Sequence, residues 1–200
     1  MTDKKTIAIY DEKAQDYAEM VSSDSPDASL RAFMEAIPTG GRVLDLGCGP
    51  GNASAMMRDA GLLPDAVDAS PGMVALAQEK YNLPARVMTF DELTGEGIYD
   101  GVWANFSLLH APRADLPRHF AAIARALNPD GIFHIGMKTG ADAKRDRLGR
   151  KYTYVTIPEL KELFTTAGFT VITEKTGEDA GLDGVVAPWV VMLARKTNDA

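Results

Sequence analysis

The chain has 200 residues, 46 % of them hydrophobic and 24 % charged, a composition that fits one folded domain with a sizeable core and excludes a disordered or fibrous polymer. Its formal net charge of −7 repels phosphate backbones, so nucleic acid is not an expected partner. A single cysteine, Cys48, excludes an intramolecular disulfide, and His110, His119 and His134 lack the spacing of a metal-binding helix, so no metal is expected.

The first residues run into Asp11 and Glu12 without a long apolar stretch. No secretory leader or membrane span is therefore expected, and the default location is the cytoplasm. Ile7, Tyr10, Ala14, Tyr17 and Met20 recur at helical spacing and predict one amphipathic helix over residues 7–20. A second helix is predicted over 28–36, stopped by Pro38-Thr39-Gly40-Gly41. Short apolar runs then alternate with helical ones. Strands are predicted at 42–46, 65–68, 85–88, 99–104 and 132–137, with helices at 53–60, 72–80 and 116–127. Such alternation implies βαβ units and a parallel sheet. Asn128-Pro129-Asp130-Gly131 is a turn signal before the strand at 132–137. The basic cluster Lys144, Arg145, Arg147, Arg150 and Lys151 reads as a solvated loop. After a helix at 157–167, the strands 169–175 and 185–195 are joined by a segment too short for a crossover helix, so they should pair antiparallel. Pro188 implies an edge or a bulge in the last strand.

The turn Asp45-Leu46-Gly47-Cys48-Gly49-Pro50-Gly51 joins the first strand to the next helix. Glycines there permit positive φ and close approach of a ligand to the backbone. The spacing is G-x-G-x-G, and Asn52 stands where a dinucleotide fingerprint needs its last glycine. Asp45 before the turn would repel a pyrophosphate and attract an ammonium or sulfonium. Asp68 ends the second strand, where a carboxylate can accept hydrogen bonds from ribose hydroxyls.

These features resemble the class I S-adenosylmethionine-dependent methyltransferases. Residues 43–54 are similar to their first motif and Ala66-Val67-Asp68-Ala69-Ser70-Pro71-Gly72-Met73 to their second. Thr89-Phe90-Asp91 is similar to the adenine-contacting segment, and residues 99–110 to the fourth-strand motif. Leu127-Asn128-Pro129-Asp130-Gly131 resembles the L-x-P-G-G turn, with Asp130 in place of its first glycine. The resemblance implies an α/β, Rossmann-like fold: a seven-stranded, mostly parallel sheet with a C-terminal antiparallel hairpin. It also implies one domain over 1–200, with N-terminal lid helices in 1–38 and the core in 39–200. The implied cofactor is S-adenosyl-L-methionine. Asp45, Gly47, Cys48 and Gly49 would border its methionine part, and Asp68, Ala69, Ser70 and Met73 its ribose and adenosine. Phe90 and Asp91 would meet the adenine, with Asn105 and Phe106 beneath the sulfonium end. Cys48 also reads as a small packing residue, Met73 as core, and Asp91 as a turn cap.

The implied reaction is methyl transfer to an O or N atom of a small-molecule acceptor, by a monomer or homodimer. His110 is a candidate general base, or a packed loop histidine. Tyr10, with Tyr17 seven residues on, resembles the lid of small-molecule members, or simply packs the helix down. Tyr17, Lys138, Arg150 and Tyr152 are candidate acceptor contacts; Arg150 could pair with a carboxylate or phosphate, or be a solvated loop arginine. His119 reads as a surface residue. The signature of nucleic-acid amino-methylating enzymes is missing from Ala104-Asn105-Phe106-Ser107, which favours a small acceptor. The alternatives are a non-catalytic cofactor-binding module and a nicotinamide-dependent dehydrogenase.

Overall fold

The computed structural model describes residues 3–23 and 25–197. The chain begins with three helices, α1 (Lys4–Glu12), α2 (Ala14–Met20) and α3 (Ala28–Glu35). Strands and helices then alternate: β1 (Arg42–Leu46), α4 (Asn52–Asp59), β2 (Leu63–Asp68), α5 (Pro71–Tyr81), β3 (Arg86–Val87), β4 (Tyr99–Asn105), α6 (Leu116–Ala126) and β5 (Leu127–Lys138). A small hairpin, β6 (Ala143–Arg145) and β7 (Lys151–Thr153), precedes α7 (Ile157–Thr166), β8 (Phe169–Ala180) and β9 (Val186–Lys196).

Seven strands form one sheet in the order β3-β2-β1-β4-β5-β9-β8. The five strands from β3 to β5 are parallel; β9 pairs antiparallel with β5 and β8. Strand order therefore reverses between β1 and β4, and the carboxyl ends of these two strands open the crevice where α/β sheets bind ligands. Local chemistry sets the element ends. Ser70 caps α5 through Met73 N at 3.1 Å, Pro71 begins that helix, and Asn82 ends it in the left-handed region. Thr156 and Glu159 close a reciprocal capping box on α7.

Helices cover both faces. On one, Phe120, Phe133, Phe164 and Phe169 pack ring against ring with centroids 5.2–5.9 Å apart, joining α6 and α7 to β5 and β8. On the other, Phe33 and Ile37 cross β4 at Gly101, where a Cβ would come within 2.4 Å of Ile37 and 2.8 Å of Phe33. Trp103 continues that face and stacks on His134 at 3.7 Å.

Several elements differ from expectation. The N-terminal helix breaks at Lys13 into α1 and α2, because α1 follows its contacts to the β6–β7 hairpin while Ala14 and Ala18 of α2 pack on Met73 and Leu76. Residues 128–131 form an irregularity within β5: register jumps from Tyr99↔Leu127 to Gly101↔Ile132, with Asp130 at φ 62°. Strand β9 lies inside the sheet and β8 is the edge; Pro188 is tolerated because pairing with β5 ends at Trp189. The presumed loop at 144–151 is largely the β6–β7 hairpin. His119 is 3 % exposed and set edge-on to Phe90, so the surface reading is overturned.

Candidate functional site

The glycine turn leaves β1 at the topological switch. Gly47 has φ 86°, and a Cβ there would fall 2.4 Å from Ser107 Cβ, so both its conformation and its neighbour require glycine. The Gly47 and Cys48 amides both donate to Val67 O, at 2.8 and 2.9 Å, and Ser107 Oγ donates to Leu46 O at 2.5 Å. The turn is thus fastened to β2 on one side and to the end of β4 on the other. Phe106, next to Ser107, holds φ 54°, a conformation that a bulky residue adopts only when its surroundings impose it.

Two carboxylates sit against this turn. Asp45 is 2 % exposed and takes a hydrogen bond from Ser54 Oγ at 2.6 Å. Burial pushes its carboxyl up to about 7, against the lowering effect of Ser54 and with some repulsion from Asp68. Asp68 accepts from Gly49 N at 2.9 Å and from Ser70 N at 2.8 Å. Burial raises its carboxyl, opposed by those backbone donors. Cys48 is buried and its thiol is pushed up by burial, the state of a packing thiol.

Two cavities meet at Gly47. One, of about 80 Å³, lies between Gly47, Gly49, Asp68, Ala69, Ser70 and Met73 on the core side and Tyr10 and Tyr17 on α1 and α2, with Phe90, Phe106 and His110 at its ends. The other, of about 210 Å³, lies between Asp45, Gly47, Cys48 and Asn105 and the start of α3. His134 Nε2 lies 3.0 Å from Asn105 Oδ1 and fixes that amide; burial holds His134 neutral, down at about 3.

Above the first cavity α1 is bonded to the core. His110 Nδ1 lies 2.7 Å from Lys151 O, a group that can only accept, so Nδ1 carries the proton and donates. Nε2 is then the acceptor for Tyr10 O–H at 2.9 Å. Burial holds His110 down at about 4, in its neutral form, and pushes Tyr10 well above the usual phenol range. Arg150 Nη1 donates to Tyr10 Oη at 2.9 Å, while its Nε and Nη2 lie 2.8 and 2.6 Å from Asp146 Oδ2. Asp11, one residue after Tyr10, accepts from Ser70 Oγ at 2.5 Å and Gly72 N at 2.9 Å at the start of α5.

Eleven candidates therefore share the first cavity: Tyr10, Tyr17, Gly47, Gly49, Asp68, Ala69, Ser70, Met73, Phe90, Phe106 and His110. Asp45, Cys48 and Asn105 line the second. Four stand outside both. Asp91 turns away to an ion pair with Arg118 at 2.6 Å. Arg150 is 1 % exposed and engaged by Asp146, so the solvated-loop reading is overturned. Tyr152 stands behind His110, ring centroids 4.7 Å apart, and Lys138 faces a separate groove with its ammonium over the Tyr152 ring at 4.9 Å. Asp11, Ser54, Ser107 and Asp146 were not singled out by sequence: each is a small polar residue whose partner lies on another element or across a turn, and no spacing marks it.

A family model described as a methyltransferase domain matches residues 17–174. The chain belongs to this methyltransferase family. Its members use S-adenosylmethionine as methyl donor. The cypemycin N-terminal methyltransferase of a Streptomyces species is 33 % identical over 146 residues, 69 % of this chain and 60 % of that protein. The trans-aconitate 2-methyltransferase of Variovorax paradoxus is 36 % identical over 124 residues, 57 % of this chain and 45 % of that protein. The chain thus spans roughly half the length of such relatives. Among solved structures, the 1,6-didemethyltoxoflavin-N1-methyltransferase of Burkholderia thailandensis, with 1,6-didemethyltoxoflavin and S-adenosylhomocysteine bound, superposes with a TM-score of 0.74. It is 25 % identical, and the match covers 97 % of this chain and 88 % of that one. Among the described residues no helix is long and apolar enough to cross a membrane, and no cluster of metal-ligating side chains occurs.

Proposed function

We propose that this chain transfers a methyl group from S-adenosylmethionine to an O or N atom of a small molecule, acting as one domain whose residues 1–38 form the lid. The observation that carries the reading is the meeting of two cavities at Gly47, one beside Asp45 and the other beside Asp68, under the hydrogen-bonded pair Tyr10–His110. The residues fit the donor. Both walls carry aspartates and, among the described residues, no lysine or arginine, which favours a sulfonium and an ammonium. Asp68 retains lone pairs for ribose hydroxyls after its two backbone bonds. When bound, S-adenosylmethionine supplies an electrophilic methyl group and a neutral thioether as leaving group.

The chain's own task is then alignment, exclusion of water and removal of one proton. Tyr10 Oη donates to His110 Nε2 and accepts from Arg150, and its second lone pair takes the acceptor's proton once the neighbouring Tyr152 hydroxyl turns aside. As Tyr10 takes that proton, its own passes to His110 Nε2. The positive charge lost at sulfur reappears on the imidazole, so the closed site keeps its net charge. The acceptor loses H⁺ and gains CH₃⁺, which balances the transfer.

Calorimetric titration with S-adenosylmethionine and S-adenosylhomocysteine tests the donor: binding is expected, and none at about millimolar concentration sinks the reading. Asp68→Ala should weaken binding about tenfold to a hundredfold, the range for hydrogen bonds to a charged group. A non-catalytic cofactor-binding module would bind equally well but move no label from methyl-tritiated donor to a metabolite extract.

A further inference from the structure

We propose that the acceptor is an uncharged, flat molecule offering an O–H or N–H, and that the site discriminates against polycarboxylates. This rests on the methyltransferase reading above and names the substrate class of the same site. The first argument is charge. The cavity under the lid holds Asp68 and the adjoining one Asp45, and among the described residues neither wall holds a lysine or arginine; Asp3 and Asp27, also on these walls, are already bonded by Arg145 and by the start of α3. A polyanion would leave water to stand beside Asp68, which has backbone donors but no cationic partner.

The second argument is that the nearby cations are engaged. Arg150 is the residue whose sequence context suggested an anion partner. Its guanidinium is buried against Asp146, which takes a hydrogen bond from Nε and stands 2.6 Å from Nη2 as a charge partner without hydrogen-bond geometry; it donates to Tyr10 Oη and lies over the Tyr10 and Tyr152 rings at 5.1 and 5.3 Å. Arg145 binds both oxygens of Asp3, at 2.8 and 3.0 Å. His110 offers no positive charge either, since its Nδ1 proton goes to Lys151 O and Nε2 already accepts from Tyr10.

The third argument is hydrogen-bond inventory and shape. Tyr10 Oη gives its proton to His110, so it meets an acceptor only through a lone pair, in competition with the neighbouring Tyr152 hydroxyl; this welcomes a donor O–H or N–H and repels a carboxylate oxygen. The walls around it are rings. Tyr10 stands edge-to-face with Tyr17 at 5.4 Å and with His110 at 5.3 Å. Ring edges and faces of this kind complement a planar acceptor.

The test titrates the protein, saturated with S-adenosylhomocysteine, with uncharged heteroaromatics (hydroxyquinoline, indazole, lumazine) and with trans-aconitate. At least one heteroaromatic should bind about tenfold or more tightly than the tricarboxylate. Tricarboxylate binding as tight as that of every heteroaromatic, or no heteroaromatic binding at about millimolar concentration, overturns the proposal. Failure of S-adenosylhomocysteine itself to bind would instead remove the methyltransferase reading beneath it. Asp146→Asn supplies a second arm by freeing Arg150: affinity for trans-aconitate should rise about tenfold, and an unchanged value in a folded variant counts against the proposal. Should that variant not fold, the wild-type comparison decides alone.

Discussion

Asp45 is enclosed between the glycine turn and α4, with Ser54 Oγ as its hydrogen-bond donor and Asp68 as a like charge nearby. With the carboxyl raised by burial to about 7, the free protein holds a proton there across the acid side of neutrality. A cationic ligand favours the ionised form, so its binding releases that proton. Affinity for S-adenosylmethionine should therefore be highest above pH about 7 and fall as the pH drops through that value, by up to tenfold per unit. Calorimetry from about pH 8 to about pH 6 checks this, and Asp45→Asn should flatten the profile. A flat wild-type profile would remove the electrostatic role given to Asp45. At this scale Asp45 and Asp68 were legible because they occupy marked positions beside strand ends. Arg150 was legible only as a charge. Its burial depends on Asp146, four residues away in sequence but brought into line by the turn between β6 and β7.

Helix α1 is held by side chains rather than by a broad apolar face; of its described residues only Thr6 is buried. Asp3 bonds Arg145, Thr6 Oγ1 accepts from Lys151 N at 2.9 Å, Tyr10 meets His110, and Asp11 caps the start of α5. The last of these links α1 to Asp68, because the Ser70 that donates to Asp11 also donates its backbone N–H to Asp68. Asp11→Ala should loosen α1 and weaken S-adenosylhomocysteine binding by about three- to tenfold, the loss of a charge-assisted hydrogen bond at a partly exposed site. Hydrogen exchange of residues 4–20 should show ligand-induced protection in the wild type and much less in the variant. Equal protection in both would leave Asp11 as a plain helix cap. Helical periodicity gave α1 and α2 their residues but not the break at Lys13, since the break follows from what each half packs against.

Across the whole molecule, the sheet is stabilised on its α6–α7 face by the phenylalanine cluster. Phe164 is fully buried, with ring centroids 5.2, 5.3 and 5.9 Å from those of Phe120, Phe133 and Phe169. Phe164→Ala should lower stability by about 3–5 kcal/mol, read from urea unfolding. A loss below about 1 kcal/mol would mean that the cluster collapses to fill the space. The order of strands was legible to the extent that alternation implies parallel βαβ units and a short final connection implies an antiparallel pair.

Sequence alone determined the α/β alternation, the glycine turn with its two flanking aspartates, and the final antiparallel pair. Each depends on residues within one segment: apolar period, turn chemistry, strand-end position. Only the tertiary structure decided that Asp91, Lys138, Arg150 and Tyr152 lie outside the two cavities, that His119 is buried, and that Asp11 and Asp146 are bonding partners. Those outcomes depend on which charge meets which partner across the fold. A carboxylate that reaches a guanidinium or a helix start is no longer available to a ligand, and local spacing carries no record of that meeting.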